Sequence, residues 1–502
     1  MPPPTAQSAK GEVATFKRCL GLFDSVMVVA GIMVGSGIFI VSAEMSREIG
    51  SAGWLLVAWL ITGVLTVAGA LTYGELAAMM PDAGGMYVYL REAFSPICGF
   101  LYGWTLWTVI QSGSIAAVAI AFARFSGVLF PGVSEKNYIF APLRLSAHYA
   151  ISLSTAQLLA IGVIALLAVG NSLGVQYGKV IQNVFTVAKL GALVALIVLG
   201  LTVCANRAAF HANFAHAWVS HAGSLDSGAF HASGILGLFV ALCLAQTGSL
   251  FSADSWHDIT FVAAEVKNPR RNLPLALLIG TVAVIALYLL CNLSYLASLP
   301  LSAIQHAPGD RVATAVLQTI FPRFGPALMA AAIVVSTFGT VNALTLAGAR
   351  ASYALAKDHL FFPAAGQLNR AGVPGWGLCF QGLWAALLVL PRTISPGVEE
   401  YGNLYSNLLE YVISAALLFY ILTILAVFRL RATRPHIERP YKTWGYPWLP
   451  TLYVAGATAI LLVLFAYRPG TTWPGLVIVA LGVPVYYFLR SGLRAKRNAE
   501  LP

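Results

Sequence analysis

Charge is what this chain has least of. Only 10% of its 502 residues are Asp, Glu, Lys or Arg, while 58% are hydrophobic. A soluble globular domain carries about 25% charge, so the scarcity excludes one of this length. Acid is especially thin, with 19 Asp and Glu against 30 Lys and Arg. The resulting charge of +11 does not point to nucleic acid, because no basic stripe with interleaved aromatics lies on a polar element. The six cysteines, Cys19, Cys98, Cys204, Cys243, Cys291 and Cys379, show no metal-ligand spacing. The loop Pro131–Tyr149 has none, so no intermolecular disulfide can start there. His-Glu-x-x-His, Gly-x-Ser-x-Gly and nucleotide-binding loops are missing, which argues against an enzyme. Met1–Gly11 is polar and proline-rich, without the apolar core of a cleavable signal.

What the chain does have is apolar runs about 20 residues long from end to end, the mark of a polytopic helical membrane protein. The runs predict twelve spans near Leu20–Glu44, Trp54–Met80, Ile97–Leu129, Leu153–Val169, Val180–Cys204, Ile235–Ala264, Leu273–Leu296, Gly325–Ala354, Trp376–Leu390, Leu404–Phe428, Leu449–Tyr467 and Leu476–Leu489. Most Lys and Arg fall on alternate connections, such as Lys267, Arg270 and Arg271, or Arg429, Arg431 and Arg434. That asymmetry places both termini in the cytoplasm. Pro81–Phe94 reads as a short interfacial helix, a connector or a gate. The outer loop Ala205–His231 carries His211, His216, His221 and His231 at spacings too loose for a metal site.

The first span contains Gly31-Ile32-Met33-Val34-Gly35-Ser36-Gly37. In hydrocarbon every backbone polar group needs a partner, so glycine-rich unwinding is tolerated only beside a cavity or inside protein. A half-helix ending at Met33 aims carbonyls into the gap, and one starting near Gly37 aims N–H groups there. Carbonyls suit an ammonium and N–H groups suit a carboxylate, so a zwitterionic amino acid fits between them. A small-residue packing motif, Gly31-x-x-x-Gly35, is the competing reading. A second interruption falls at Ser252-Ala253-Asp254-Ser255-Trp256. Broken helices in corresponding positions of two halves point to a transporter's substrate site.

Intramembrane ionisable residues are functional candidates. Asp254 sits at the second break; Asp258 either nears the inner aqueous side or pairs with His257. Lys189, in the fifth span, either reaches the carbonyls of span one and hydroxyls of span eight or snorkels to the cytoplasm. Ser336-Thr337-Phe338-Gly339-Thr340 marks a hydroxyl-rich stretch of span eight. Glu410 in span ten lines the cavity or its rim.

Four stretches together resemble the amino acid–polyamine–organocation transporters, in particular bacterial members of the L-type amino acid transporter branch. They are GIMVGSGIF (Gly31–Phe39), NSLGVQYGKVIQNVFTVAKL (Asn171–Leu190), FVAAEVKNPRRNLPLAL (Phe261–Leu277), and STFGTVN followed by ARASYALAKDHLFFP within Ser336–Pro363. The resemblance implies an all-α membrane protein with a five-plus-five inverted repeat and discontinuous helices one and six. Residues 17–204 would form the first repeat, 205–234 an outer loop and 235–429 the second repeat. Two further helices and a cytoplasmic end would follow in 430–502, and 1–16 would be a disordered cytoplasmic tail. Spans one, two, six and seven would rock against a scaffold. The substrate carboxylate would meet Gly35, Ser36 and Gly37. The ammonium would meet carbonyls of Met33, Phe251, Ser252 and Asp254, with Phe251 as an aromatic gate. Lys189 would stand where related symporters hold sodium, with Ser336 as its partner. The implied activity is sodium-independent amino acid exchange or proton-coupled transport in the cytoplasmic membrane, with no cofactor and no metal. One chain would suffice, without the disulfide-linked glycoprotein that animal relatives use. The acids Asp254 and Glu410 motivate an alternative cargo, cationic amino acids or polyamines.

Overall fold

The computed structural model describes residues 18–81, 84–146, 149–173, 178–220, 225–226, 231–369, 372–393 and 404–499. The expected disordered tail, 1–16, and His221 lie outside them. The main helices in chain order are α1 (Leu22–Met33), α2 (Gly37–Ile49), α3 (Ala52–Met79), α4 (Met86–Ala93), α5 (Pro96–Leu129), α6 (Thr155–Ser172) and α7 (Gly178–Thr202). They continue as α8 (Gly234–Ser252), α9 (Pro269–Ser298), α10 (Gly325–Lys357), α11 (Gly375–Leu388), α12 (Leu404–Thr433), α13 (Trp448–Tyr467) and α14 (Pro469–Ala499). Among the described residues, ten helices are long and apolar enough to cross a membrane, or eleven when α1 and α2 count as one bent span. Helix α11, with 14 residues, reaches about 21 Å, short of a hydrocarbon core of about 30 Å.

Local chemistry explains the starts and stops. The Ser51 hydroxyl accepts the Trp54 N–H to begin α3. Gly50, at φ 64°, takes the left-handed conformation that lets α2 turn into α3. Ser154 and Gln157 cap each other at the start of α6. Large apolar side chains such as Leu60, Leu166, Leu383 and Leu481 face outward, as lipid contact requires.

The helices pack as two groups. In one, α9 lies along α3 and α1, and α8 lies along α2. In the other, α5 packs on α10, and α6 on α11. The first group holds both chain breaks.

Two of the long connections are more regular than the sequence suggested. Strands β1 (Tyr138–Arg144), β2 (Tyr149–Ser154) and β3 (Pro391–Thr393) form an antiparallel sheet in the order β1-β2-β3. It ties the start of α6 to the end of α11. Within the histidine-rich loop, Asn206 caps a helix over Arg207–Ala215.

The short helix expected within Pro81–Phe94 is present as α4. Its Tyr87 and Arg91 both donate to Asp358, just past the end of α10. Burial, reinforced by the Asp358 carboxylate, raises the Tyr87 phenol above its ordinary range. Near the end of α3, buried Glu75 accepts both Arg431 Nε (2.9 Å) and Nη2 (2.6 Å), together with the Thr443 N–H and hydroxyl. This joins α3 to the end of α12 and the segment beyond it.

Candidate functional site

The first predicted break is where the glycines put it. α1 ends at Met33, α2 starts at Gly37, and the two axes differ by 43°. Val34 leaves helical geometry (φ −75°, ψ 86°). No side chain caps the start of α2; the Phe39 N–H bonds the Ser36 carbonyl at 3.1 Å, and the Gly37 and Ile38 N–H groups before it start the helix without helical partners.

The second break is also present but has a different form. α8 stops at Ser252, and Ser255 takes a left-handed φ of 62°. Beyond Ser255 the chain does not resume as an α-helix. It continues in tight 3-10 turns over Trp256–Thr260 and Ala263–Glu265, which carry poorer hydrogen-bond geometry.

The two breaks enclose one cavity, lined by Met33, Gly35, Ser36 and Gly37 from the first and Phe251, Ser252 and Asp254 from the second. Ser114 on α5 and Thr340 on α10 complete the wall. Its volume is about 20 Å³, room for about one water molecule. An amino acid needs more room than this cavity offers.

Gly37 has a structural reason beyond ligand approach. A Cβ there would lie 2.9 Å from the Ser252 Cα and 2.7 Å from its Cβ. The two breaks touch backbone to backbone, and only glycine permits it. A Cβ at Gly35, by contrast, would meet Thr340 at an ordinary 3.4 Å and intrude on the cavity.

Sequence reasoning missed Tyr288. From α9 its hydroxyl meets both the Met33 carbonyl (2.9 Å) and the Ser252 carbonyl (3.0 Å). One phenol thus bridges the last carbonyls of both half-helices, two of the groups expected to face a ligand ammonium. The available signal was a phenol hydroxyl in an apolar span, which must find partners when buried.

Lys189 is 4% exposed and does not snorkel. Its ammonium donates to the Gly31 carbonyl and to Thr340 Oγ1 at 3.1 Å. Thr340 also lies within hydrogen-bond distance of the carbonyls of Val34 (3.3 Å) and Ser336 (3.1 Å). The expected partner, Ser336, is therefore corrected to Thr340, one helical turn along the same face. The Ser336 hydroxyl is buried with no hydrogen-bond partner among the described residues.

Three further side chains fix the cavity wall. Ser36 Oγ lies 3.0 Å from the Tyr405 hydroxyl on α12. Phe251 stands edge-on to the Tyr405 ring, centroids 6.1 Å apart. Tyr420, also on α12, donates to Asp254 Oδ1 at 2.6 Å. Below the break, His257 Nε2 lies 3.4 Å from Asp258 Oδ1 and both are buried, without a hydrogen bond between them; Asp258 therefore does not reach the aqueous side.

Glu410 is a correction. It accepts from Thr471 at 2.5 Å and lies 3.7 Å from Arg468, which also holds Glu48 at 2.8 Å. It lines a separate cleft with Glu44 and Glu48. Tyr405 and Glu410 are five residues apart, which turns Glu410 about 140° around α12 from the side chain that faces the site.

Two chain breaks that meet at one cavity, with a buried ammonium bonded to the Thr340 that lines it, mark a membrane carrier. The chain belongs to the amino acid permease family, whose model matches residues 20–488; its work is transport of amino acids, not catalysis. It is 29% identical over 495 residues to the human b(0,+)-type amino acid transporter 1, covering 96% of this chain and 90% of that one. It is 28% identical over 480 residues to the serine/threonine exchanger SteT of Bacillus subtilis, covering 94% and 97%. A mouse large neutral amino acids transporter small subunit 2 is 28% identical over 491 residues, covering 97% and 83%.

Proposed function

We propose that this chain is a sodium-independent carrier of neutral amino acids working by alternating access, either as an exchanger or with protons. The observation that carries the reading is the closeness of the two breaks around a cavity that also faces the Lys189–Thr340 pair. In this reading the first-turn N–H groups at Ser36 and Gly37 take the substrate carboxylate, with Gly35 leaving them room. The carbonyls at Met33, Phe251, Ser252 and Asp254 take the ammonium, and Phe251 closes over the ligand. Tyr288 holds two of those carbonyls until the ligand arrives. Asp254 serves the wall through Tyr420 and is not the selector of a cationic side chain. Glu410, in its own cleft, gives the cationic alternative no support.

The same reading counts α11 as a short ninth span, giving twelve, and divides the chain into two five-span repeats, 17–204 and 235–429, separated by the loop 205–234. Residues 430–502 supply the last two spans and a cytoplasmic end; the N-terminus is cytoplasmic too, and the membrane is the cytoplasmic one. A monomer suffices, since every proposed contact comes from one chain. The relatives named as exchangers or large neutral amino acid transporters support the cargo class.

Counterflow in liposomes tests it. Purified protein should exchange radiolabelled neutral amino acids at the same rate in sodium and in N-methylglucamine. A strict requirement for sodium, or uptake of putrescine and arginine in place of neutral amino acids, overturns the reading.

A further inference from the structure

A cavity roomier than the substrate site lies between α5, α12 and α14. It measures about 240 Å³, against about 20 Å³ between the breaks. Its deep wall is Val109 and Gly113, halfway along α5, with Leu388, Leu408 and Ile478 closing the sides. Its other end reaches β2 and β3, where Tyr149 and Arg392 line it.

Backbone irregularity builds this space. α5 carries a π-helical turn over Leu106–Ile110, a device frequent at functional sites. The carbonyls it loosens are met from outside the helical ladder. Trp384 Nε1 donates to the Thr108 carbonyl at 2.8 Å, and Ser112 Oγ to the Trp107 carbonyl at 2.6 Å. On the opposite wall Pro474 has no N–H for the Gly470 carbonyl, which takes the Tyr149 hydroxyl instead at 3.1 Å. The polar groups of the walls are thereby turned away from the cavity, and its body is left apolar. An apolar cavity of about 150 Å³ already holds a benzene; this one has room for a longer apolar group.

One end is different. Arg392 is 5% exposed. Its Nε donates to Ser152 Oγ (2.8 Å), its Nη2 to the Glu135 carbonyl (2.9 Å), and its guanidinium lies over the Tyr138 ring. Among the described residues no carboxylate lies within ion-pair distance of it. A buried cation without an anion is costly, and here it stands at the end of α11, where the apolar span stops. Leu387, Trp473 and Val477, next in sequence to the cavity-lining Leu388, Pro474 and Ile478, are exposed.

We propose that this cavity is a binding site for an acidic amphiphile from the bilayer, whose acyl chain lies against Val109, Leu408 and Ile478 and whose anionic head meets Arg392. The orientation matches a lipid of the adjacent leaflet, tail inward and head at the membrane face. Because the cavity is lined by residues of α5, α12 and α14, its occupant braces α12, the helix that also presents Tyr405 and Tyr420 to the substrate cavity. The site is independent of which amino acid is carried.

Photolabelling tests it on the full chain in phosphatidylcholine nanodiscs. Phosphatidylglycerol or phosphatidylcholine with a diazirine on the acyl chain is added at equal mole fraction, and the labelled residues are mapped by mass spectrometry. The phosphatidylglycerol probe should label cavity residues about fivefold or more above the phosphatidylcholine probe, the scale of one charge-assisted contact. Arg392→Gln should bring that ratio to about one. Gly475→Leu should cut cavity labelling while leaving counterflow transport in place; Gly475 lines the cavity, and a Cβ there meets Ser414 at an ordinary 3.5 Å. Competition by unlabelled oleate as well as phosphatidylglycerol assigns the site to any acyl acid, and competition by phosphatidylglycerol alone assigns it to the phospholipid head. Equal labelling by the two probes, labels spread over lipid-facing residues without enrichment in the cavity, or full labelling of Gly475→Leu overturns the proposal. If Arg392→Gln does not purify as a single species, the wild-type ratio and Gly475→Leu decide it.

Discussion

Replacing Gly37 by alanine separates two reasons for a glycine at the first break. One is ligand access to bare backbone; the other is the close approach of Ser252. The added methyl would sit 2.7 Å from Ser252 Cβ and 2.9 Å from its Cα, closer than packed carbon atoms approach. Overpacking of this kind costs about 1–3 kcal/mol. If the whole cost falls on the state that joins the two breaks, transport falls about 5- to 150-fold. Ser252→Gly removes the Cβ and Oγ but leaves the backbone of residue 252 against the methyl. The double variant should therefore recover about half of the lost free energy or more. Ser252→Gly alone should stay within about 1 kcal/mol of wild type, since its hydroxyl bonds only the Gly248 carbonyl of its own helix. The assay is counterflow in liposomes, with thermal unfolding of the detergent-solubilised protein beside it. Wild-type transport by Gly37→Ala refutes the steric reasoning. Loss without any recovery in the double variant shows that the glycine serves the ligand instead.

The other predictions concern single side chains. Lys189→Met leaves the Gly31 carbonyl and the Thr340 hydroxyl short of a donor, at about 1–3 kcal/mol each; counterflow should fall at least tenfold, and retained activity contradicts the role given to the ammonium. Tyr288→Phe unpairs the Met33 and Ser252 carbonyls from the phenol, so the melting temperature should drop while the substrate affinity changes, and a variant unchanged in both removes Tyr288 from the site. Glu410→Gln should leave substrate preference untouched in a thermal-shift panel of the twenty amino acids, and a switch in preference would return Glu410 to the cavity. Glu75→Gln breaks a buried ion pair with Arg431, at about 3–5 kcal/mol; it should lower stability without altering substrate affinity, and an unchanged melting temperature argues against the network.

The sequence was most legible where backbone chemistry is extreme. Three glycines and a serine in one apolar run mark the break at Val34–Ser36, because no uninterrupted lipid-facing helix needs them. The second break was legible from Asp254 and its flanking serines, but not its form, which depends on Ser255 adopting a left-handed conformation that residue type alone does not demand. Rotation about a helix axis was the main source of error. Ser336 and Thr340 share a face, so only height along α10 separates them, and Glu410 was misplaced by its turn around α12. Tyr288 was hidden because a tyrosine in an apolar helix looks like any other large side chain until its hydroxyl's partners are seen. The strand Tyr149–Ser154 has a period-two signal, with Tyr149, Ile151 and Leu153 on one side and buried Ala150, Ser152 and Ser154 on the other, but it runs into the span predicted at Leu153–Val169, which hides its last two residues.

The most direct test of the central claim is binding of one transported L-amino acid against its α-amide and its N-acetyl form, by calorimetry on the purified protein. If the two chain breaks hold the ligand by its charged ends, each derivative should bind about tenfold more weakly or worse, the scale of a lost charge-assisted hydrogen bond. Equal affinity for the free amino acid and either derivative contradicts the account.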